Sequence, residues 1–194
     1  MPAFASQDLD QVISEIAKRT AGMWRPIVAV DGTAGVGKSY LAKHAARRLY
    51  ALHIELDKCL SPGAAYLLGY TANSEFDALR RAIDIAVGGV ILSGTCARDA
   101  LYGLGRDAAV HVYVKCWDTF RDCWEDEEIC DFVAISDVPS DATPRERELM
   151  EYHAIWQPHR RANIEWRNAV EHLPRRADRR KPGLNDNLAA PSRA

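Results

Sequence analysis

Two apolar periodicities alternate along the chain. Val12, Ile13, Ile16 and Ala17 recur at helical spacing within 8–20, with Asp8 or Ser6 placed to cap the helix and Gly22 and Pro26 to end it. Ile27-Val28-Ala29-Val30-Asp31 is a continuous, β-branched run of strand length, and Leu41, Ala42, Ala45, Ala46 and Leu49 return to the helical period. The pattern predicts further strands at 53–56 (closing at Asp57), 90–92, 110–114 and 164–166. It predicts helices over 74–87 (Phe76, Leu79, Ile83 and Val87 on one face), 97–103, 117–128 with Arg121 in its interior, and from Pro144 to His153 or beyond. Ser61-Pro62-Gly63 reads as a turn, and 131–144, with Pro139, Pro144 and several Asp and Ser, as a loop. Strands alternating with helices imply about five parallel strands with helices on both faces, a three-layer α/β/α domain over 1–173 in which 168–173 closes the fold. From 174 to 194 the chain turns basic and nearly devoid of apolar residues, which predicts a disordered tail.

Between the first strand of the sheet and its helix stands Gly32-Thr33-Ala34-Gly35-Val36-Gly37-Lys38-Ser39, the Gly-x4-Gly-Lys-Ser pattern of a phosphate loop. Its glycines let backbone N–H groups converge on a phosphate chain, Lys38 adds a point charge for the β and γ phosphates, and Ser39 offers a hydroxyl to Mg²⁺. Strand, glycine-rich loop and helix are the context that the pattern requires, so the fold expected is that of the P-loop NTPases. Residues 32–39, with Tyr40 beside them, form the predicted nucleotide-binding set. The loop reads phosphates rather than a base, so ATP with Mg²⁺ is the default nucleotide.

Composition sets limits. With 47% hydrophobic and 27% charged residues and a net charge of −2, nothing global draws the chain to nucleic acid or to an anionic membrane. No apolar run approaches the ~20 residues that span a bilayer, and the start lacks a signal-peptide pattern, so a cytoplasmic location is expected. The five cysteines form no Cys-x-x-Cys pair. Cys116, Cys123 and Cys130 are spaced by seven; helical spacing would separate them by about 10.5 Å of rise, too far for one metal ion, and the reading is a packed stripe. The basic run Arg175-Arg176 and Arg179-Arg180-Lys181 reads as a solvated end.

In parallel sheets ligands bind where strands end. Asp31 ends the first strand and either orients the loop through backbone N–H groups or simply forms the turn. Asp57 ends the second, where a carboxylate can accept the proton of an attacking hydroxyl. Glu55 alternates away from that edge. Ser93 ends the third, at a place where many phosphate-loop enzymes carry an acid, and Asp99 follows. Arg98 and Arg121 are candidates to neutralise charge on the transferring phosphoryl group. Arg145 and Arg147 belong to a closing lid or to a solvated helix face.

The chain resembles the uridine kinase-like branch of the phosphate-loop kinases. The likeness rests on the leading helix, on Arg25 through Ser39, on Leu56-Asp57, on Ile91-Leu92-Ser93-Gly94 followed by Arg98, and on Tyr152, Pro158 and Arg160 through Ile164, across roughly residues 8–168. It implies that Asp57 faces a sugar hydroxyl as the base. The chain departs from the family at Ser93, where an acid is expected, at Lys58-Cys59, and in the segment after Asp57, which lacks the Tyr-Asp-x-Pro-like acceptor signature while offering Tyr66 and Tyr70.

The expected activity is transfer of the ATP γ-phosphate to a hydroxyl of a small, nucleoside-like molecule, with Lys38, Asp57, Arg98 and Arg121 as the catalytic set; a homodimer is compatible with it. A nucleoside monophosphate kinase needs more arginines than the one, Arg80, within 58–80. A non-catalytic ATP-binding protein draws support from Ser93. A GTPase is disfavoured because there is no Asn-Lys-x-Asp motif.

Overall fold

The computed structural model describes residues 4–59, 74–119, 121–132 and 134–169. The turn at Ser61-Pro62-Gly63, Tyr66, Tyr70, the closing residues 170–173 and the expected tail at 174–194 lie outside the described residues.

Six parallel strands form the sheet: β1 (Phe4–Ser6), β2 (Ile27–Asp31), β3 (Leu52–Glu55), β4 (Val90–Ser93), β5 (Val110–Asp118) and, after a short antiparallel β6 (Cys123–Trp124), β7 (Ile164–Ala169). Their order is β1-β7-β5-β2-β4-β3, with β6 paired to β5 alone. β2 is central, flanked by β4 and β5. Its run of β-branched residues suits a strand covered on both faces. All five expected strands are present; β1 and β6, too short for a periodic signal, are additions.

The helices are α1 (Leu9–Thr20), α2 (Lys38–Leu49), α3 (Ser74–Ile85), α4 (Ala97–Gly103), the single turn α5 (Glu127–Cys130) and α6 (Pro144–Trp156). Asp8 caps α1, its Oδ1 accepting from the N–H groups of Asp10 and Gln11 at 2.8 and 3.2 Å. Thr143 and Glu146 close a capping box around Pro144, which fixes where α6 begins. One layer packs α1 and α2 on Val28, Val30, Val112, Val114, Ile164 and Trp166. The other packs α3, α4 and Tyr152 of α6 on Ala29, Val90 and Leu92. The three-layer α/β/α architecture of a P-loop NTPase is therefore present.

Two expectations are corrected. The helix over 117–128 does not form: β5 runs on to Asp118, the chain reverses, and Trp117 and Trp124 pair across an antiparallel rung. The seven-residue repeat of Trp and Cys reflects strand pairing and one turn of helix, rather than a helical stripe. Secondly, α3 stops at Ile85, ahead of Gly88-Gly89, and leaves Val87 exposed. Phe76, Leu79 and Ile83 are buried as expected. Among the described residues no helix is long and apolar enough to cross a membrane.

Candidate active site around the phosphate loop

Residues 32–37 link the carboxyl end of β2 to α2. Gly37, at φ +103°, is the residue before the first helical turn, and a Cβ there would stand 2.5 Å from Asn168 Nδ2. Only glycine meets both demands. That same Asn168 amide donates to the Val36 carbonyl at 2.8 Å, so the end of β7 clasps the loop from outside. Ala34 and Gly35 are exposed, Val36 is buried in the core beside α2, and Ser39 is half-buried in the first turn of α2. Tyr40, largely exposed, stacks on Trp166 with ring centroids 6.5 Å apart.

Lys38 is 5% exposed, and its ammonium donates to the Thr33 carbonyl at 2.6 Å. Burial lowers its pKa, while Asp57, Asp31, Cys96 and Asp126 act in the opposite sense. A desolvated lysine in the field of carboxylates, bonded to a neutral carbonyl within its own loop, is a cation held ready for an anion.

Asp31 does more than form a turn. One oxygen accepts from the Gly32 N–H at 2.7 Å and the other accepts from the Tyr152 hydroxyl. The Tyr152 oxygen accepts in turn from the Arg98 backbone N–H at 3.3 Å. Burial raises the Asp31 pKa against the pull of Tyr152, the Gly32 N–H, Lys38 and Arg98. The start of the loop is thus pinned by α6, more than a hundred residues downstream. A second pin is not legible in sequence: the Thr33 hydroxyl donates to the buried carboxylate of Asp126, just before α5.

Asp57 lies in a short 3₁₀ turn, Leu56–Cys59, rather than at the last position of β3. It is exposed, and its Oδ1 accepts from the Thr95 N–H at 3.2 Å. A Cβ on Gly94 would stand 2.5 Å from Leu56 Cβ and 3.3 Å from Asp57 Oδ1, so the bare glycine lets the ends of β3 and β4 close up. Glu55 turns away to Lys43 and Lys58 at 3.3 and 3.0 Å, as expected. Ser93 is buried, and its hydroxyl meets His53 Nε2 at 2.9 Å. Asp99 is directed to Trp156, so no carboxylate replaces the missing acid from that helix.

Arg98 opens α4 and is half-buried, its guanidinium donating to the Arg161 carbonyl at 2.7 Å. Burial lowers its pKa, against the influence of Tyr152 and Asp31. Arg121 lies in the β5–β6 turn instead of on a helix, where its backbone N–H and guanidinium both engage Asp118, at 3.0 and 3.4 Å. Arg147 donates to the carbonyls of Pro139 and Ser140, both at 3.1 Å, which makes it a brace for the preceding loop.

The site fits a nucleotide. Its buried lysine, its glycine-lined turn and the N–H groups that open α2 are the donor set that a phosphate chain requires. Among the described residues no cluster of three His, Cys, Asp or Glu side chains forms a metal cage.

No protein-family model and no curated protein matches the chain. Two solved structures are similar in fold. A protein assigned as a possible uridine kinase from Bacillus stearothermophilus gives a TM-score of 0.44 at 13% identity, over 81% of this chain and 98% of that one. One assigned provisionally as a fructose transport system kinase from Silicibacter sp. TM1040 gives 0.42 at 16%, over 83% and 100%.

Proposed function

We propose that the chain is an ATP-dependent phosphotransferase that moves the γ-phosphoryl group to a hydroxyl of a small, nucleoside-like molecule. The observation that supports this reading is where the two residues sit: Lys38 is buried at the loop that follows β2, bonded to the Thr33 carbonyl, and Asp57 is exposed in the turn that follows β3, held by the Thr95 N–H. A carboxylate suited to accept a proton and a cation suited to a phosphate thus both lie at the carboxyl edge of the sheet.

In this reading the loop amides and Lys38 hold the β and γ phosphates. Asp57, steadied by the Thr95 N–H, accepts the proton of the acceptor hydroxyl or aligns it. Arg98, one bond from the Tyr152–Asp31 pair, is the cation best placed to meet growing charge on the transferring group. Arg121, engaged by Asp118, has no part in it. Mg²⁺ at Ser39 would supply charge neutralisation between the phosphates.

The test is ADP release with Mg²⁺ against nucleosides, nucleoside monophosphates and small sugars. Acceptor-dependent turnover is expected to fall about a hundredfold or more in Asp57→Ala with nucleotide affinity nearly intact, and to vanish with nucleotide binding in Lys38→Ala. Full turnover in Asp57→Ala would sink the assignment. The Ser93–His53 contact at the place of the missing acid favours a second reading, a nucleotide-binding protein without catalysis. It predicts binding indifferent to Mg²⁺ and no transfer to any acceptor.

A further inference from the structure

β2, β3 and β4 run parallel, so the segments that enter them lie together at the amino edge of the sheet, the end away from the phosphate loop. The Val90 N–H donates to the Pro26 carbonyl and the Leu52 N–H to the Gly89 carbonyl, each at 2.9 Å, which ties the three segments into one surface. A Cβ on Gly88 would stand 3.2 Å from the Tyr50 carbonyl oxygen. This edge carries Met23, Trp24, Tyr50, Ile85 and Val87, between 50% and 93% exposed. Together they leave on the order of 800 Å² of largely apolar surface in water, above the roughly 300–600 Å² of the largest patch on a typical monomer and close to the ~800 Å² that each partner covers in a standard interface.

The patch holds a projection and a recess side by side. Trp24 is 85% exposed, and its support is fixed. Arg25, at φ +50°, holds a left-handed conformation that is strained for a residue other than glycine, and its guanidinium donates to the carbonyls of Ile83 and Asp84 at the end of α3. Beside Trp24 lies a cavity of about 190 Å³, which it lines together with Ile83, Gly88, Val90, Asp84 and Arg106. A cavity of about 150 Å³ accepts a benzene ring, so this one has room for an aromatic side chain. The charges around it are spent within the chain: Asp84 pairs with Arg106, and Arg25 faces the carbonyl end of α3.

We infer that this edge is the face on which two copies of the chain pair about a two-fold axis, Trp24 of each seated at the other's recess. A two-fold contact sets the same patch on both sides, so it needs a surface that carries both the projection and the cavity that receives it. The apolar area matches one half of such an interface, and Trp, Tyr and Met are enriched at interface cores. Beyond Ala169, on the opposite edge, the sequence carries the basic run from Arg175 to Lys181, a poor match for an apolar patch. The phosphate loops lie at the far ends of the pair, and the inference is independent of what they bind.

Sedimentation of the full chain tests it. The protein should run at twice its 21.6 kDa at micromolar concentration and dissociate on dilution. Trp24→Glu and Val87→Glu, both at exposed positions, should melt like the parent yet raise the dissociation constant about a hundredfold or more, and Trp24→Phe about tenfold or less. Ile135→Glu, exposed in the turn before α6, and Lys38→Ala should leave it unchanged. A single species of 21.6 kDa at every concentration, whatever covers the patch, overturns the inference. So does a dimer that Trp24→Glu and Val87→Glu leave intact, and so does a mass that climbs past twice that of the chain, the mark of an open head-to-tail contact. Where one of the two glutamate variants does not fold, the other decides.

Discussion

Tyr152→Phe removes a single oxygen, and the surroundings of that oxygen set the cost. The residue is fully buried, so no water replaces the hydroxyl. Two partners are stranded together: the second carboxylate oxygen of Asp31, itself buried, and the Arg98 backbone N–H. Stranding a buried polar group costs about 1–3 kcal/mol, towards the upper end for the carboxylate and the lower for an N–H at 3.3 Å. The expected loss is about 2–4 kcal/mol, which in a domain of this size lowers Tm by roughly 5–15 °C. The functional effect runs through Asp31. With one oxygen released, the carboxylate is free to rotate away from the Gly32 N–H, and the first residue of the cradle loosens. Nucleotide affinity should drop about three- to tenfold, an effect of ~1 kcal/mol. Thermal unfolding and titration with a fluorescent ATP analogue measure both. A double-mutant cycle with Asp31→Asn isolates the route: the two changes should be non-additive by about 1 kcal/mol or more. If Tyr152→Phe melts within about 2 °C of the parent and binds nucleotide equally well, α6 does not position the loop and the reasoning fails.

The same geometry carries further expectations. His153, whose Nδ1–H donates to the Leu149 carbonyl while Tyr113 donates to Nε2, and His111 are both pushed by burial down to about 4. Because their folded pKa values lie below the unfolded value, the folded state binds fewer protons, and stability present above pH 6.5 is lost as the pH falls towards 4. At pH 5 each buried neutral histidine accounts for a loss of about 2 kcal/mol, visible as a lower urea midpoint than at pH 7 and reduced in His153→Phe; equal midpoints at the two pH values would contradict this. Asp126→Asn keeps an acceptor for the Thr33 hydroxyl but removes a negative charge beside Lys38, so triphosphate affinity should rise by about 1 kcal/mol, roughly fivefold; an unchanged affinity would mean that Asp126 is not felt at the phosphate site. Gly94→Ala drives a Cβ to 2.5 Å from that of Leu56, at a cost of about 1–3 kcal/mol. The displaced Asp57 should lower turnover more than nucleotide affinity, and steady-state kinetics alongside binding would expose the opposite order.

Legible and illegible features of the chain divide along one physical line. Strand β2, the loop and α2 are contiguous, and each is specified by its own residues: β-branched runs, glycines, small apolar residues at helical spacing. Asp57, close behind a strand, is visible for the same local reason. The β5–β6 hairpin escapes sequence reasoning because 117–128 contains too few residues in each strand to display period two, and the tryptophans that pair across the rung also fit a helical repeat. The contacts that shape the loop lie further from reach. Asp31 meets Tyr152 across 121 positions, Thr33 meets Asp126 across 93, and Val36 meets Asn168 across 132. Nothing in the neighbourhood of Asp126 distinguishes it from the acids around it; its burial comes from the hairpin that carries it back over the sheet. The phosphate loop is therefore local in its pattern and non-local in its rigidity. Variants at Tyr152, Asp126 and Asn168 should alter how tightly the loop holds an anion while leaving its signature intact, and those at Gly32, Gly37 and Lys38 should abolish the holding itself.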